Sequence, residues 1–226
     1  MRFLPIHPLP MDTIFRHCFL VNFAVKPSAL RRHLPKHLVP DQYGPDAFVS
    51  IVIALMERMR PSFLPVWLGT TYTQVVYRAV VRLGEERGVT FLRSDADNAI
   101  MVAAGNAFTF FRFNRARVDW QISDERIGFS LTPTAGKGAR ISAEYDLKGG
   151  SQLPPSSAFG DLLTAQSFLT ELYTAFGARR NGGNVEVVRI ARNPWVSQVI
   201  MNHSGDYEAM HSGHLFSQTE ARLDSI

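Results

Sequence analysis

Between Thr70 and Arg93 the chain spells a long hairpin, and that pattern limits the fold more than any other stretch. Thr71, Thr73, Val75, Tyr77, Ala79 and Val81 alternate with Tyr72, Gln74, Val76, Arg78 and Val80, the period of two that marks a strand. Gly84-Glu85-Glu86-Arg87-Gly88 then turns the chain into a second strand over residues 89–93. Residues 46–57 (DAFVSIVIALME) are apolar on both faces and rich in β-branched side chains, which predicts a buried strand. Further strands are predicted over 110–122, 127–133, 140–147 and 185–190, with polar turns at Ser123-Asp124-Glu125-Arg126 and Ala135-Gly136-Lys137-Gly138.

Helices are few. Pro27 opens a short one that closes before Pro35. Residues 98–108 predict a second, capped by Asp95, Asp97 or Asn98. After the Gly, Pro and Ser loop at 149–157, Leu162, Ala165, Leu169, Leu172 and Phe176 recur at helical spacing and Gly177 ends the stripe. Many strands, few helices and no β-α-β rhythm predict a mainly-β (α+β) barrel or sandwich with helices packed outside, as one domain over residues 1–226. The structure of the tail after Ser197 is not determined by its mixed polar sequence.

Composition narrows the function classes. With 46% hydrophobic and 19% charged residues, the 226-residue chain can bury a sizeable core. Only four lysines stand beside twenty arginines, and the arginines are scattered, the tightest clusters being Arg31-Arg32 and Arg179-Arg180. A nucleic-acid binder would gather them into a stripe with aromatic partners, so no nucleic-acid partner is expected. The single cysteine, Cys18, excludes an internal disulfide and a cysteine zinc site, and is read as a buried, inert thiol. No apolar run is long enough to span a membrane, and prolines break up the N-terminal segment MRFLPIHPLP where a signal peptide's apolar core would lie, so a cytoplasmic protein with no membrane partner is expected. His211 and His214, with His203 upstream, are the only histidine cluster; Gly213 weakens the turn between the pair and no carboxylate completes a ligand set, so no metal is expected. There is no G-x-S-x-G elbow and no phosphate loop.

The strand at 70–83 carries the most chemistry. Tyr72, Gln74 and Arg78 share one face, and a pocket lined by such groups would suit a small polar ligand. The pieces FLVNFAVKPSALRRHLP, DAFVSIVIALM, TYTQVVYRAVV, GVTFLRSDADN, FLTELY and NPW fall, in that order, as in the YqjF-like group of the acetoacetate decarboxylase superfamily, which the chain resembles from Phe15 to Trp195. The resemblance implies an acetoacetate-decarboxylase-like antiparallel β-barrel or cone with a few flanking helices and an internal pocket. It places Tyr72, Gln74 and Arg78 inside that barrel. In the decarboxylases an active-site lysine forms a Schiff base with a β-keto acid, beside carboxylates and an arginine.

The sequence departs from that chemistry. Gln74 stands where the related pattern has Glu, which keeps hydrogen bonding but removes the charge. The segment that would supply the amine, residues 109–116, holds Arg112 and no lysine, and a guanidinium cannot form an imine. In the late segment Glu171-Leu172-Tyr173 lacks the arginine that the group's pattern has between Glu and Tyr. Arg78, Asp95, Asn98, Glu171, Tyr173, Pro194 and Trp195 do match the pattern.

The resulting expectation is a pocket protein for a small carbonyl or carboxylate metabolite. Gln74 and Arg112 are the candidate catalytic groups, and Tyr72, Arg78, Glu171 and Tyr173 the candidate substrate-binding groups. A lyase- or cyclase-type step without a Schiff-base lysine is one outcome; no cofactor is implied. The alternative is a non-catalytic binding or homo-oligomeric interaction module on the same fold, with the apolar loop Phe63-Leu64-Pro65-Val66-Trp67-Leu68 as contact patch.

Overall fold

The computed structural model describes residues 4–5, 10–134, 140–150, 152–178, 185–193, 195, 197–200, 203–207, 210, 215–217 and 219–226. Its elements in chain order are β1 (Leu4–Pro5), β2 (Met11–Val25), α1 (Pro27–Arg31), β3 (Val39–Pro40), β4 (Gln42–Tyr43), β5 (Asp46–Pro61), β6 (Thr70–Leu83), β7 (Glu86–Ala96) and α2 (Ala99–Phe108). They continue as β8 (Phe113–Ile122), β9 (Arg126–Pro133), β10 (Ile141–Asp146), β11 (Gly149–Gly150), α3 (Leu162–Thr170), β12 (Thr174–Ala178), β13 (Val185–Arg189), β14 (Val199–Ile200), β15 (His203–Asp206) and β16 (Ala221–Ser225).

The hairpin read from the sequence is β6–β7. Leu83 pairs with Glu86, so Gly84 and Glu85 make the reversal, and Gly84 takes the φ of 61° that glycine tolerates best. One large sheet runs in the order β15-β10-β9-β8-β7-β6-β5-β2-β16. It is antiparallel throughout except where β7 meets β8, with β12 also joining β7 in parallel and β1 joining β13 in parallel. The fold is thus mainly β with few helices, as the sequence predicts, and the described strand order does not close into a ring.

The sheet curls on itself instead. Phe19 of β2 stacks on Tyr145 of β10 at 4.6 Å between centroids, although those strands lie six steps apart in the order. Phe23 of β2 likewise meets Tyr207, and Trp120 of β8 donates its indole N–H to Thr73 Oγ1 of β6 at 2.9 Å. The concave side is therefore the face of Phe19, Val21, Phe23, Ile51, Val75 and Tyr77, and it is filled by the main hydrophobic cluster with Phe129, Leu131 and Tyr145 opposite. The other face is covered by α3 and α2: Phe48, Val80 and Val89 pack on Leu169, Ala165 and Phe159, while Tyr72 and Met56 pack with Phe113 and Met101.

Three local readings change. The stripe from Leu162 to Phe176 is not one helix: α3 ends at Thr170 and Phe176 lies in β12, paired with Val187 and Thr90. Arg78 and Arg192 take the carbonyls of Leu169 and Thr170, which closes the helix without a glycine. Gly177 is needed for room: a Cβ there would run into the Phe110 ring. The strand expected from residue 110 begins at Phe113, after the amide of Asn106 exchanges two hydrogen bonds of 2.8 Å with the backbone of Phe113. Asn98 caps α2, its Oδ1 accepting from the N–H groups of Ile100 and Met101. The long strand β2, which carries no alternation because it is buried on both sides toward its end, is the element that the sequence pattern leaves unassigned.

Candidate functional site

The helix-covered face of the sheet holds the polar residues singled out above. Cross-strand registers give three rows across β2, β5 and β6: Phe15, Met56, Tyr72; Cys18, Ala54, Gln74; and Asn22, Ser50, Arg78. Tyr72, Gln74 and Arg78 therefore share a face, but it is the face away from the concave interior. The expectation that they point into the barrel is corrected: that space is occupied by Tyr77, Val75 and Ala79 on the opposite side of the same strand.

A cavity of about 400 Å³ lies between this face and α3. Cys18, Leu20 and Asn22 of β2 form one wall, and Leu162, Ala165, Gln166, Leu169 and Thr170, one stripe of α3, form another. Leu147, Leu153, Trp195, Val199, Ile200, Ser225 and Ile226 contribute to the remainder. Much of the wall's polarity is already paired. Asn22 donates to Ser225 Oγ at 3.3 Å and accepts from Ser50 Oγ at 2.7 Å, and Gln166 donates to the Trp195 carbonyl at 2.9 Å.

Two guanidiniums lie near the cavity without lining it, both acting on the Cys18 thiol. Arg78 is 8% exposed and donates through Nη2 to the Leu169 carbonyl at 2.7 Å. Its Nε is buried without a hydrogen-bond partner, and among the described residues it makes no ion pair. Burial pulls its pKa down to about 10, the thiol of Cys18 and the second cation Arg192 acting on it more weakly. Arg192 donates to the Thr170 carbonyl and lies over the rings of Trp195, at 4.1 Å, and Tyr173, at 4.9 Å. Burial lowers its pKa as well. Cys18 feels both cations, yet burial dominates and pushes its thiol up to about 11, so it is a neutral thiol near pH 7.

The other candidates lie apart from the cavity. Tyr72 and Gln74 are buried and turned to one another, Tyr72 Oη donating to Gln74 Oε1 at 3.2 Å, and burial raises the phenol's pKa. Arg112 is exposed at a φ of 52°, its carbonyl accepting from Ser94 N and Asn114 Nδ2. Glu171 sits at the C-cap of α3, exposed, bonded to Ser167 Oγ at 3.0 Å. Tyr173 is exposed beneath Arg192. Lys26, Lys36 and Lys148 are exposed and line nothing; Lys137, Pro194, His211 and His214 fall outside the described residues. Among the described residues no group of three acidic, histidine or cysteine side chains could hold a metal, and no helix is long and apolar enough to cross a membrane. Asp95, matched by pattern, is wholly buried against Arg93 at 2.8 Å and serves the sheet.

Arg192 is the residue that sequence reasoning missed. The signal was faint: an arginine three positions before Trp195, in a segment without alternation.

The sequence pattern of DUF2071, described as an uncharacterized conserved protein, matches residues 13–223. The chain belongs to the DUF2071 family. A relative, the uncharacterized protein YqjF of Bacillus subtilis (strain 168), is 24% identical over 189 residues, covering 83% of this chain and 72% of YqjF. Among solved structures, acetoacetate decarboxylase from Legionella pneumophila superposes with a TM-score of 0.61 at 14% identity, covering all of this DUF2071 chain and 84% of the other. An acetoacetate decarboxylase-like enzyme from Sphingomonas wittichii gives 0.60 at 10% identity, covering 95% and 84%. The enduracididine biosynthesis enzyme MppR, complexed with pyruvate, gives 0.54 at 12% identity, covering 90% and 80%. At these identities the likeness establishes the acetoacetate decarboxylase-like fold and nothing finer.

Proposed function

We propose that this DUF2071 protein binds a small carboxylate-bearing metabolite in the cavity between β2 and α3, with Arg192 and Arg78 as its cationic end. One observation carries the reading: Arg78 is a buried cation that has a carbonyl on one nitrogen, no partner on another, and no ion pair among the described residues. An unpaired buried charge is costly to a fold, and an anionic ligand beside it offsets that cost. The complex of MppR with pyruvate supports the same ligand chemistry on the same fold.

The chemistry such a site can perform is a lyase- or cyclase-type step driven by positioning and electrostatic stabilisation of a developing oxyanion. Among the described residues no lysine lines the cavity, which favours a step without an imine, and Cys18 is a neutral thiol rather than a ready nucleophile. The test is thermal shift with a panel of keto acids and their amides. Acids are expected to stabilise the wild type and amides not; Arg192→Gln is expected to lose the response. No shift with any acid at millimolar concentration overturns the proposal.

A non-catalytic contact role has its own observation. Phe63 and Trp67 stand 69% and 79% exposed on the loop between β5 and β6, beside Val66 and Leu68. If that loop joins copies of the chain, sedimentation will show a dimer that Trp67→Ser dissolves.

A further inference from the structure

Resting on the carboxylate reading above, we infer that the ligand is an amphipathic monocarboxylate: an acid group on an apolar body of about seven to nine carbons, not a three- or four-carbon keto acid.

Volume is the first argument. At about 30 Å³ for each water-sized group, a cavity of about 400 Å³ takes on the order of a dozen heavy atoms. Pyruvate has six and acetoacetate seven, which would leave roughly half the space empty. Eight- to ten-carbon acids have ten to twelve.

Shape is the second. The lining stripe of α3 runs from Leu162 to Thr170, a length of about 12 Å at 1.5 Å per residue. Its Thr170 end is where the two cations gather, Arg78 on the Leu169 carbonyl and Arg192 on that of Thr170. No charged side chain lines the cavity itself, so the nearest charges lie past its Thr170 end and none is brought to its Leu162 end by α3. An elongated ligand with its anion at one end matches that polarity.

The third argument is what the wall leaves unsatisfied. Asn22 and Ser225 are bonded to each other, and the Gln166 amide to Trp195. Apolar side chains, Leu147, Leu153, Leu162, Val199, Ile200 and Ile226 among them, make up most of what is left; Thr170 Oγ1 is bonded to the Gln166 carbonyl, and Ser197 and Gln198 add polar groups at one side. A ligand studded with hydroxyls or a second carboxylate would find few free partners and would strand its own polar groups against aliphatic carbon, which is costly. A single anionic head with a hydrocarbon body strands none.

The experiment is calorimetric titration of the full chain with straight-chain acids from butanoate to decanoate, with octanamide and succinate alongside. Each added methylene is expected to tighten binding about three- to fourfold up to eight to ten carbons, where the gain stops. Octanamide is expected to bind at least tenfold more weakly than octanoate, and succinate more weakly than either. Leu162→Ser is expected to flatten the chain-length slope. Equal affinity from butanoate to decanoate, or succinate binding better than octanoate, overturns the amphipathic assignment and leaves the carboxylate site standing. Octanamide binding as well as octanoate, or no acid binding at all, removes the carboxylate site itself.

Discussion

The two faces of β6 are buried to nearly the same degree and made of quite different things. Val75, Tyr77 and Ala79 face the concave interior, where aromatic and aliphatic groups from β2, β9 and β10 close around them. Tyr72, Gln74, Val76 and Arg78 face the helices, where a buried guanidinium and two neutral polar groups are tolerated and a void remains nearby. The difference teaches that this sheet keeps its densest apolar packing on one side and its buried polar groups on the other. Interdigitated apolar packing loses energy with every atom removed. A helix laid across polar strand residues cannot interlock as tightly, and the space that it leaves is where a ligand fits.

That contrast can be broken most severely at Tyr77. Tyr77→Ala empties the centre of the concave cluster and is expected to cost about 3–5 kcal/mol in urea unfolding, as large aromatic truncations do. A loss below about 1 kcal/mol would mean the interior is not the main source of stability. Arg78→Met tests the other face. It removes a desolvated charge and retains the bulk, at the cost of one hydrogen bond to Leu169 of roughly 1 kcal/mol, so stability is expected to change by no more than about 1 kcal/mol in either direction. The same variant is expected to lose the thermal shift that carboxylates give. If Arg78→Met unfolds the protein, the guanidinium belongs to the architecture and the two faces are not separate in function.

The mildest test leaves stability unchanged and reads Cys18. With burial holding its thiol at about 11, alkylation by iodoacetamide is expected to be slow at pH 7 and to quicken about tenfold per pH unit up to pH 9.5, with no plateau. A bound carboxylate is expected to protect the thiol, since Cys18 lines the cavity. A plateau near pH 7 in the mass-spectrometric labelling rate would show the two arginines overriding burial.

How far the sequence disclosed this arrangement depends on which physical signal each part leaves. The β6–β7 hairpin was legible because alternation and the polar glycine-flanked stretch 84–88 both speak for it, although the turn is shorter than that stretch and β7 already begins at Glu86. Asn98 as helix cap was legible because its chemistry is local. The segment 162–178 misled because a 3-4-3-4 apolar spacing satisfies a helix and, past Thr170, also places Leu172 and Phe176 in the core through a turn and a strand. Parity alone grouped Tyr72, Gln74 and Arg78, but it could not say which side of β6 was concave, since both sides are buried. Arg192 and Trp195 enter the site through tertiary contact from a segment without regular structure, and no local periodicity marks such residues. Glu171, Tyr173 and Arg112 lie exposed outside the cavity wall because the turn after α3 and the left-handed backbone at Arg112 direct the chain toward solvent there.

The strand β16 pairs Ala221 with Val25 and Ser225 with Asn22, joining stretches of chain almost two hundred residues apart, and Ser225 and Ile226 stand in the cavity wall. During synthesis the strands β2, β5, β6 and β7 emerge as successive neighbours and can pair as they leave the ribosome, since each closes only a short loop. The cavity cannot follow that schedule. Its wall is complete only when residues 221–226 have docked against β2, a pairing across some two hundred residues of chain. Ligand added during refolding would accordingly slow the undocking of β16 without hastening the pairing of the strands that precede it.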